Sequence, residues 1–131
     1  MKEAIRLRMN KADENLAATQ SLFDDGFYGV VVNRAYYAMY CAAQALLLTH
    51  EIHVKTHKGL FLKFSELFIK TDILPTEMAE ILAVTEDMRV EADYDFESTV
   101  SEEEAVTGLQ YARTFIEKTK AYLRSQNLYD N

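Results

Sequence analysis

Apolar residues recur along this chain at steps of three and four, and that spacing predicts five helical segments. The first runs from about Lys2 to Phe23, where Ile5, Met9, Ala12, Leu16, Thr19 and Phe23 share one stripe with a charged back. Gly26 follows in "DDG" and stops it, because glycine enters the left-handed conformation without a Cβ clash. The second, about Tyr28 to His50, is apolar almost all round and sets Ala35, Ala38, Ala42, Ala43 and Ala45 among large aromatics. A helix of that kind is buried on most sides. It is expected to be central, or to meet a second subunit as well.

The third segment starts near Thr56, carries Leu60, Phe64, Leu67 and Phe68, and ends around Lys70. The fourth starts at Pro75, since a first helical turn tolerates proline. Its inner face is expected to hold Met78, Ile81, Leu82, Thr85, Met88 and Ala92. The fifth has the clearest start, a capping box of Ser101 and Glu104, and a stripe of Ala105, Leu109, Ala112, Ile116, Thr119 and Leu123. The irregular stretch inside the fold is Asp93 to Thr99, and 125–131 is expected to fray. Short connections make successive helices antiparallel. The expectation is an all-α, up-and-down bundle in one domain, 1–131.

Composition narrows the function. Glycine (4) and proline (1) are too scarce for an all-β chain of 131 residues. The net charge of −7 excludes a whole-surface grip on nucleic acid and leaves room only for a local basic cleft. Cys41 is the single cysteine and lies in an apolar run, which fits an inert thiol in a reducing compartment. No apolar run is long enough to span a membrane, and the N-terminus lacks a signal-peptide core, so a cytoplasmic location is expected.

Three clusters could carry chemistry. In "DMRVEADYDFE", Glu86, Arg89 and Asp93 share a helix face. This is either a surface ladder of ion pairs or an arginine held at a cleft mouth, its planar fork free for a phosphate, with Asp93 positioning it or acting as a base. In "NRAYYAMY", Asn33 and Tyr37 share a face, as do Tyr36 and Tyr40, and Arg34 adjoins Tyr37. An aromatic stripe reads as core, but Arg34 needs a polar partner there, with Asp93 a candidate. Among His50, His53 and His57 the ligands do not converge as a zinc site requires, so no metal is expected. His57 and Lys58 suit an anion better, beside the free N–H groups of a helix start; the alternative is a solvated turn. The chain has no P-loop, dinucleotide fingerprint or hydrolase elbow, and no cofactor is expected.

Taken in order, "NRAYYAMYCAAQALL", "THKGL" and "RVEADYD" resemble the HEPN domain family, in particular its small stand-alone prokaryotic members. The resemblance covers nearly the whole chain. It implies a four-helix up-and-down bundle with an additional short helix, commonly a homodimer, and a role near RNA or nucleotides. Many members are ribonucleases, often toxins encoded beside a small nucleotidyltransferase that restrains them. Those ribonucleases carry an arginine followed four to six residues later by a histidine, at the end of this helix. Arg89 matches the arginine, while Asp93 and Tyr94 occupy the neighbourhood where the histidine would stand. The resemblance thus implies a degenerate or weak, metal-independent ribonuclease centre at Arg89, Asp93 and Tyr94, with Arg34, Tyr37, His57 and Lys58 toward RNA or nucleotide. Tyr94 is also the nearest candidate for the tyrosine that such partners adenylylate. A non-catalytic dimerisation or protein-interaction module is the other reading, and it places Arg89 in an intramolecular salt bridge.

Overall fold

The computed structural model describes residues 2–97 and 99–130. Helices α1 (Lys2–Asp24), α2 (Tyr28–Leu48), α3 (His57–Phe64), α4 (Thr76–Tyr94) and α5 (Glu102–Ser125) follow one another, with no strand among the described residues. Four are long and α3 has 8 residues, so the frame is the expected four-helix bundle with a short extra helix.

Helix α2 packs against each of the other four helices. Its small residues make this possible. Ala35, Ala38, Ala42, Ala43 and Ala45 are fully buried. On α5, Gly108 comes so close that an added Cβ would sit 3.4 Å from Val32 Cγ1. The space between helices is filled by Met9, Met39, Leu46, Leu60, Phe64, Phe115 and others, all without exposure. Phe115 meets Phe64 at 5.6 Å between ring centroids.

The helix ends are built as the sequence signals them. Gly26 has φ +82°, and the bonds Phe27 N–H to Leu22 O (2.9 Å) and Gly26 N–H to Phe23 O (3.0 Å) close α1 in a Schellman motif. Ser101 and Glu104 form the reciprocal capping box. The Thr56 hydroxyl accepts from Gly59 N–H at 2.9 Å and starts α3. After Ser125, Asn127 turns left-handed at φ 58°, and Leu128 and Tyr129 lie against the core. Met1, Ser98 and Asn131 fall outside the described residues, including the part of the expected fraying that concerns Asn131.

Three expectations change. The third segment is not α-helical throughout, because Ser65–Ile69 forms a π turn closed by Lys70 N–H to Ser65 O at 2.9 Å. Each four-residue step of an α-helix drifts round the axis, and the wider turn takes that drift back. Leu60, Phe64 and Phe68 therefore all reach the core. Pro75 stands just before α4, at its N-cap in extended conformation, so the helix starts at Thr76. Most important, the inner face of α4 is Met78, Ile81, Leu82, Thr85 and Arg89, with Met88 and Ala92 only half-buried.

Replacing Phe115 by Ala removes a ring from the centre of this packing. The expected cost is about 3–5 kcal/mol, read as a lowered urea midpoint with the helical circular dichroism retained in the absence of denaturant.

Candidate active site

Arg89 points inward from α4 and is 8% exposed. A buried guanidinium needs charge and hydrogen-bond partners, and its own helix supplies both. Nη2 donates to Glu86 Oε1 at 2.7 Å, Nε to Glu86 Oε2 at 3.3 Å, and Nη1 to Asp93 Oδ2 at 3.1 Å. Its flat face lies over the rings of Tyr36 (5.2 Å) and Tyr37 (5.7 Å) on α2. Hydrogen bonding to Glu86 raises its pKa above the ordinary arginine value, against the opposing effect of burial. The fork expected to be free for a phosphate is therefore filled by two carboxylates of the same chain.

Asp93 has a second partner. It accepts from Asn33 Nδ2 at 3.1 and 3.3 Å. Arg34 does not reach Asp93, contrary to expectation. Adjacent residues on a helix point about 100° apart, so Asn33 faces α4 while Arg34 turns toward α1. There Arg34 Nη1 donates to Asn15 Oδ1 at 3.3 Å, Nε donates back to Asn33 Oδ1 at 2.9 Å, and the guanidinium covers Tyr37 at 5.0 Å. A polar chain thus links α1, α2 and α4 through the bundle.

On the other side of Arg89, folding brings in His57. Its Nδ1 lies 2.8 Å from the Tyr36 hydroxyl, and its ring packs on Tyr40 (4.9 Å), Tyr36 (5.5 Å) and Tyr37 (6.1 Å). A groove of about 370 Å³ opens here, lined by Tyr36, His57, Lys58, Phe61, Leu82 and Glu86 among others. Arg89 does not line this groove, whereas its ion-pair partner Glu86 does. Asp93 lines a second groove, of about 500 Å³, with Phe27, Tyr28, Val30 and Asn33. Tyr94 is 72% exposed beside it.

Of the seven residues singled out from sequence, Arg89, Asp93, Tyr37, Arg34 and His57 converge on one tyrosine-lined centre, with Lys58 at the groove edge and Tyr94 outside. Sequence reasoning gave no role to Tyr36 and took Glu86 only as a carboxylate paired with Arg89. Tyr36 was read with the core, and it is buried. The available signal was its hydroxyl, which a buried tyrosine must satisfy. The three histidines do not meet. His50 packs on Phe68 at 5.5 Å, and His53 lines a small cavity with Arg8 and Gln44. Among the described residues no group of His, Cys, Asp and Glu is placed to hold a metal ion, and no helix is long and apolar enough to cross a membrane. Cys41 is a free thiol whose pKa burial pushes up.

A family model described as "HEPN domain" matches residues 5–122. The chain belongs to the HEPN domain family. It is similar to "Putative toxin MJ0142" of Methanocaldococcus jannaschii, 38% identical over 127 residues, which span 97% of this chain and 86% of that protein. A second protein of that organism, "Putative toxin MJ0605", is 32% identical across 95% of this chain and 92% of its own length. A "UPF0332 protein" of Archaeoglobus fulgidus is 30% identical across 90% of this chain and 94% of its own length. The all-helical frame agrees with that membership.

Two outcomes follow from the geometry. Arg89→Met leaves Glu86 and Asp93 facing each other without their cation; unfolding by urea at neutral pH is expected to show a loss of about 2–3 kcal/mol, below the fully buried case because both carboxylates touch solvent. The second concerns pH. Burial first, then the Glu86 carboxylate, holds the Tyr36 phenol far above its ordinary value of 10.0. A folded pKa above the unfolded one gives stability that is complete below about pH 10 and declines as pH rises further. Tyr36→Phe is expected to flatten the fall of the urea midpoint across that alkaline range.

Proposed function

We propose that this HEPN protein is the RNA-directed member of a toxin–antitoxin-like pair, a weak metal-independent ribonuclease restrained by a small nucleotidyltransferase partner in the cytoplasm. The observation that carries this reading is the convergence of Arg89, Glu86, Tyr36 and His57 beside a groove edged by Lys58. A bundle core needs no such cluster for stability, since buried charges seldom repay their desolvation. The names of two relatives, both toxins by designation, point the same way.

The partner and assembly belong to the same proposal. Tyr94 stands clear of the bundle, where a nucleotidyltransferase could transfer a nucleotide to its hydroxyl. Phe27, Val30, Tyr94 and Phe96 are exposed around the same end of α2 and α4. A second copy of the chain is the occupant this family resemblance implies, bringing two copies of Arg89 toward one crevice.

A second reading, a non-catalytic interaction module, is favoured by one specific observation: Glu86 and Asp93 already occupy the Arg89 fork. One experiment separates the two. Pure protein is incubated at low salt, where electrostatic binding is strongest, with end-labelled tRNA or single-stranded RNA and no divalent ion. The first reading expects cleavage or a gel shift that Arg89→Ala abolishes, and a dimer by size exclusion with light scattering. Neither cleavage nor shift leaves the interaction module.

A further inference from the structure

Charge is spread unevenly over this chain. Between 86 and 104 there are nine acids and a single cation, Arg89. Segment 2–11 holds four cations and one acid, and 118–124 holds three cations and no acid. The two basic segments are neighbours, because α1 and α5 run antiparallel. Arg113 of α5 donates to Gln20 of α1, and further along Lys120 Nζ meets Asp13 Oδ1 at 2.8 Å. The net charge of −7 therefore conceals a basic end of the bundle, where α1 starts and α5 finishes, opposite the acidic end where α5 starts.

The chain after α5 folds back over this basic end. Asn127 turns it, and Leu128 N–H bonds to Leu123 O at 2.9 Å. Tyr129 is thereby laid beside α5, its ring centroid 5.9 Å from Lys120 Nζ and 5.4 Å from the Arg124 guanidinium carbon. Asp130 Oδ1 lies 3.5 Å from Lys2 Nζ. A cleft of about 510 Å³ opens between this segment and α1, lined by Lys2, Arg6, Asn10, Leu128, Tyr129 and Asp130, and by Glu3, which pairs with Arg6. The segment is thus held as an aromatic ring on two cations followed by a carboxylate on a third. A nucleotide offers the same two features, a flat base and an anion.

We propose that this cleft is a docking site for single-stranded RNA, separate from the Arg89 cluster, with a base on Tyr129, phosphates on Lys2, Arg6 and Arg124, and Asp130 as the carboxylate that a phosphate replaces. The inference rests on the RNA-directed reading above and deepens it. An acidic protein holds an acidic polymer only through a local basic surface, and this is the end of the molecule where cations outnumber acids. The exchange of carboxylate for phosphate is easy here. The Lys2 and Asp130 side chains are 56% and 87% exposed, and exposed pairs of this kind contribute little to stability. The Arg6–Glu3 pair is exposed as well. Arg89, with both carboxylates drawn into the bundle, allows no such exchange. On this scheme the cleft holds the strand, and the groove beside Lys58 keeps its own role.

The test uses the full chain and a fluorescein-labelled single-stranded RNA of mixed sequence in EDTA, followed by fluorescence anisotropy from low to moderate salt. Lys2→Gln combined with Arg124→Gln is expected to weaken binding at least about tenfold at low salt. It is also expected to make the slope of log affinity against log salt shallower by about 1.4, the share of two phosphate contacts on a single strand. Lys63→Gln combined with Lys70→Gln removes the same charge outside the cleft and is expected to weaken binding less than about threefold. Asp130→Asn is expected to tighten binding at least about twofold, in the opposite direction. Tyr129→Phe keeps the affinity, and Tyr129→Ala lowers it at least about fivefold through lost stacking. Equal losses in the two double variants, an unchanged cleft variant, an Asp130→Asn that fails to tighten binding, or a Tyr129→Ala that binds as wild type overturns this inference and leaves the RNA-directed reading to the groove beside Lys58. No binding by wild type at low salt overturns both.

Discussion

The guanidinium of Arg89 is the group around which this end of the bundle is arranged. It is buried, so it must be neutralised. The chain does this within one helix, with Glu86 one turn before it and Asp93 one turn after. The pairing then propagates outward. Asp93 also takes the Asn33 amide of α2, and the guanidinium itself lies over the ring of Tyr36, whose hydroxyl meets His57 of α3. A surface ladder of the same residues would contribute a few tenths of a kcal/mol per pair and order nothing else. Turning the arginine inward converts it into a constraint on three helices.

This arrangement requires the backbone of α2 to come close to its neighbours, and the alanines allow that. Its core face sets these alanines among Met39, Leu46 and Leu47, and its tyrosines gather beside His57 of α3 and Arg89 of α4. The aromatic faces do two jobs there. They cover Arg34 and Arg89 with polarisable surface, and they clamp the His57 ring. Tyr36 has both a ring beneath Arg89 and a hydroxyl against His57, so a single side chain couples the cation of α4 to the imidazole of α3.

Much of this frame was legible from the sequence. The stripes of α1 and α5, the stop at Gly26 and the capping box at Ser101 rest on local patterns that tertiary packing did not override. The π turn at Ser65–Ile69 was not legible, because it answers the drift of Leu60, Phe64 and Phe68 relative to a core defined by other helices. Arg89 was misplaced for a different reason. The spacing Met78, Leu82, Thr85, Arg89 continues the inner stripe of α4, but a charged residue on such a stripe reads as solvent-facing until its partners are known. The pairing of Asn33 with Asp93, where Arg34 was expected, and the meeting of Tyr36 with His57 depend on rotation about α2 and on the path from α2 to α3. Neither is encoded in spacing.

The filled fork also decides how an anionic ligand could approach. A phosphate entering at Arg89 must displace Glu86 or Asp93, and displacing Asp93 also breaks its contact to Asn33. At Lys58 the ammonium is exposed and nothing has to be broken. With a net charge of −7 the whole-molecule field opposes RNA, so the favourable entry is the local cation that needs no displacement, with the apolar wall of Phe61 and Leu82 beside it to take a base. Charge, burial and bonding therefore leave Lys58, on the α3 side of the groove, as the cation open to an anion, while Arg89 is already paired within its own helix.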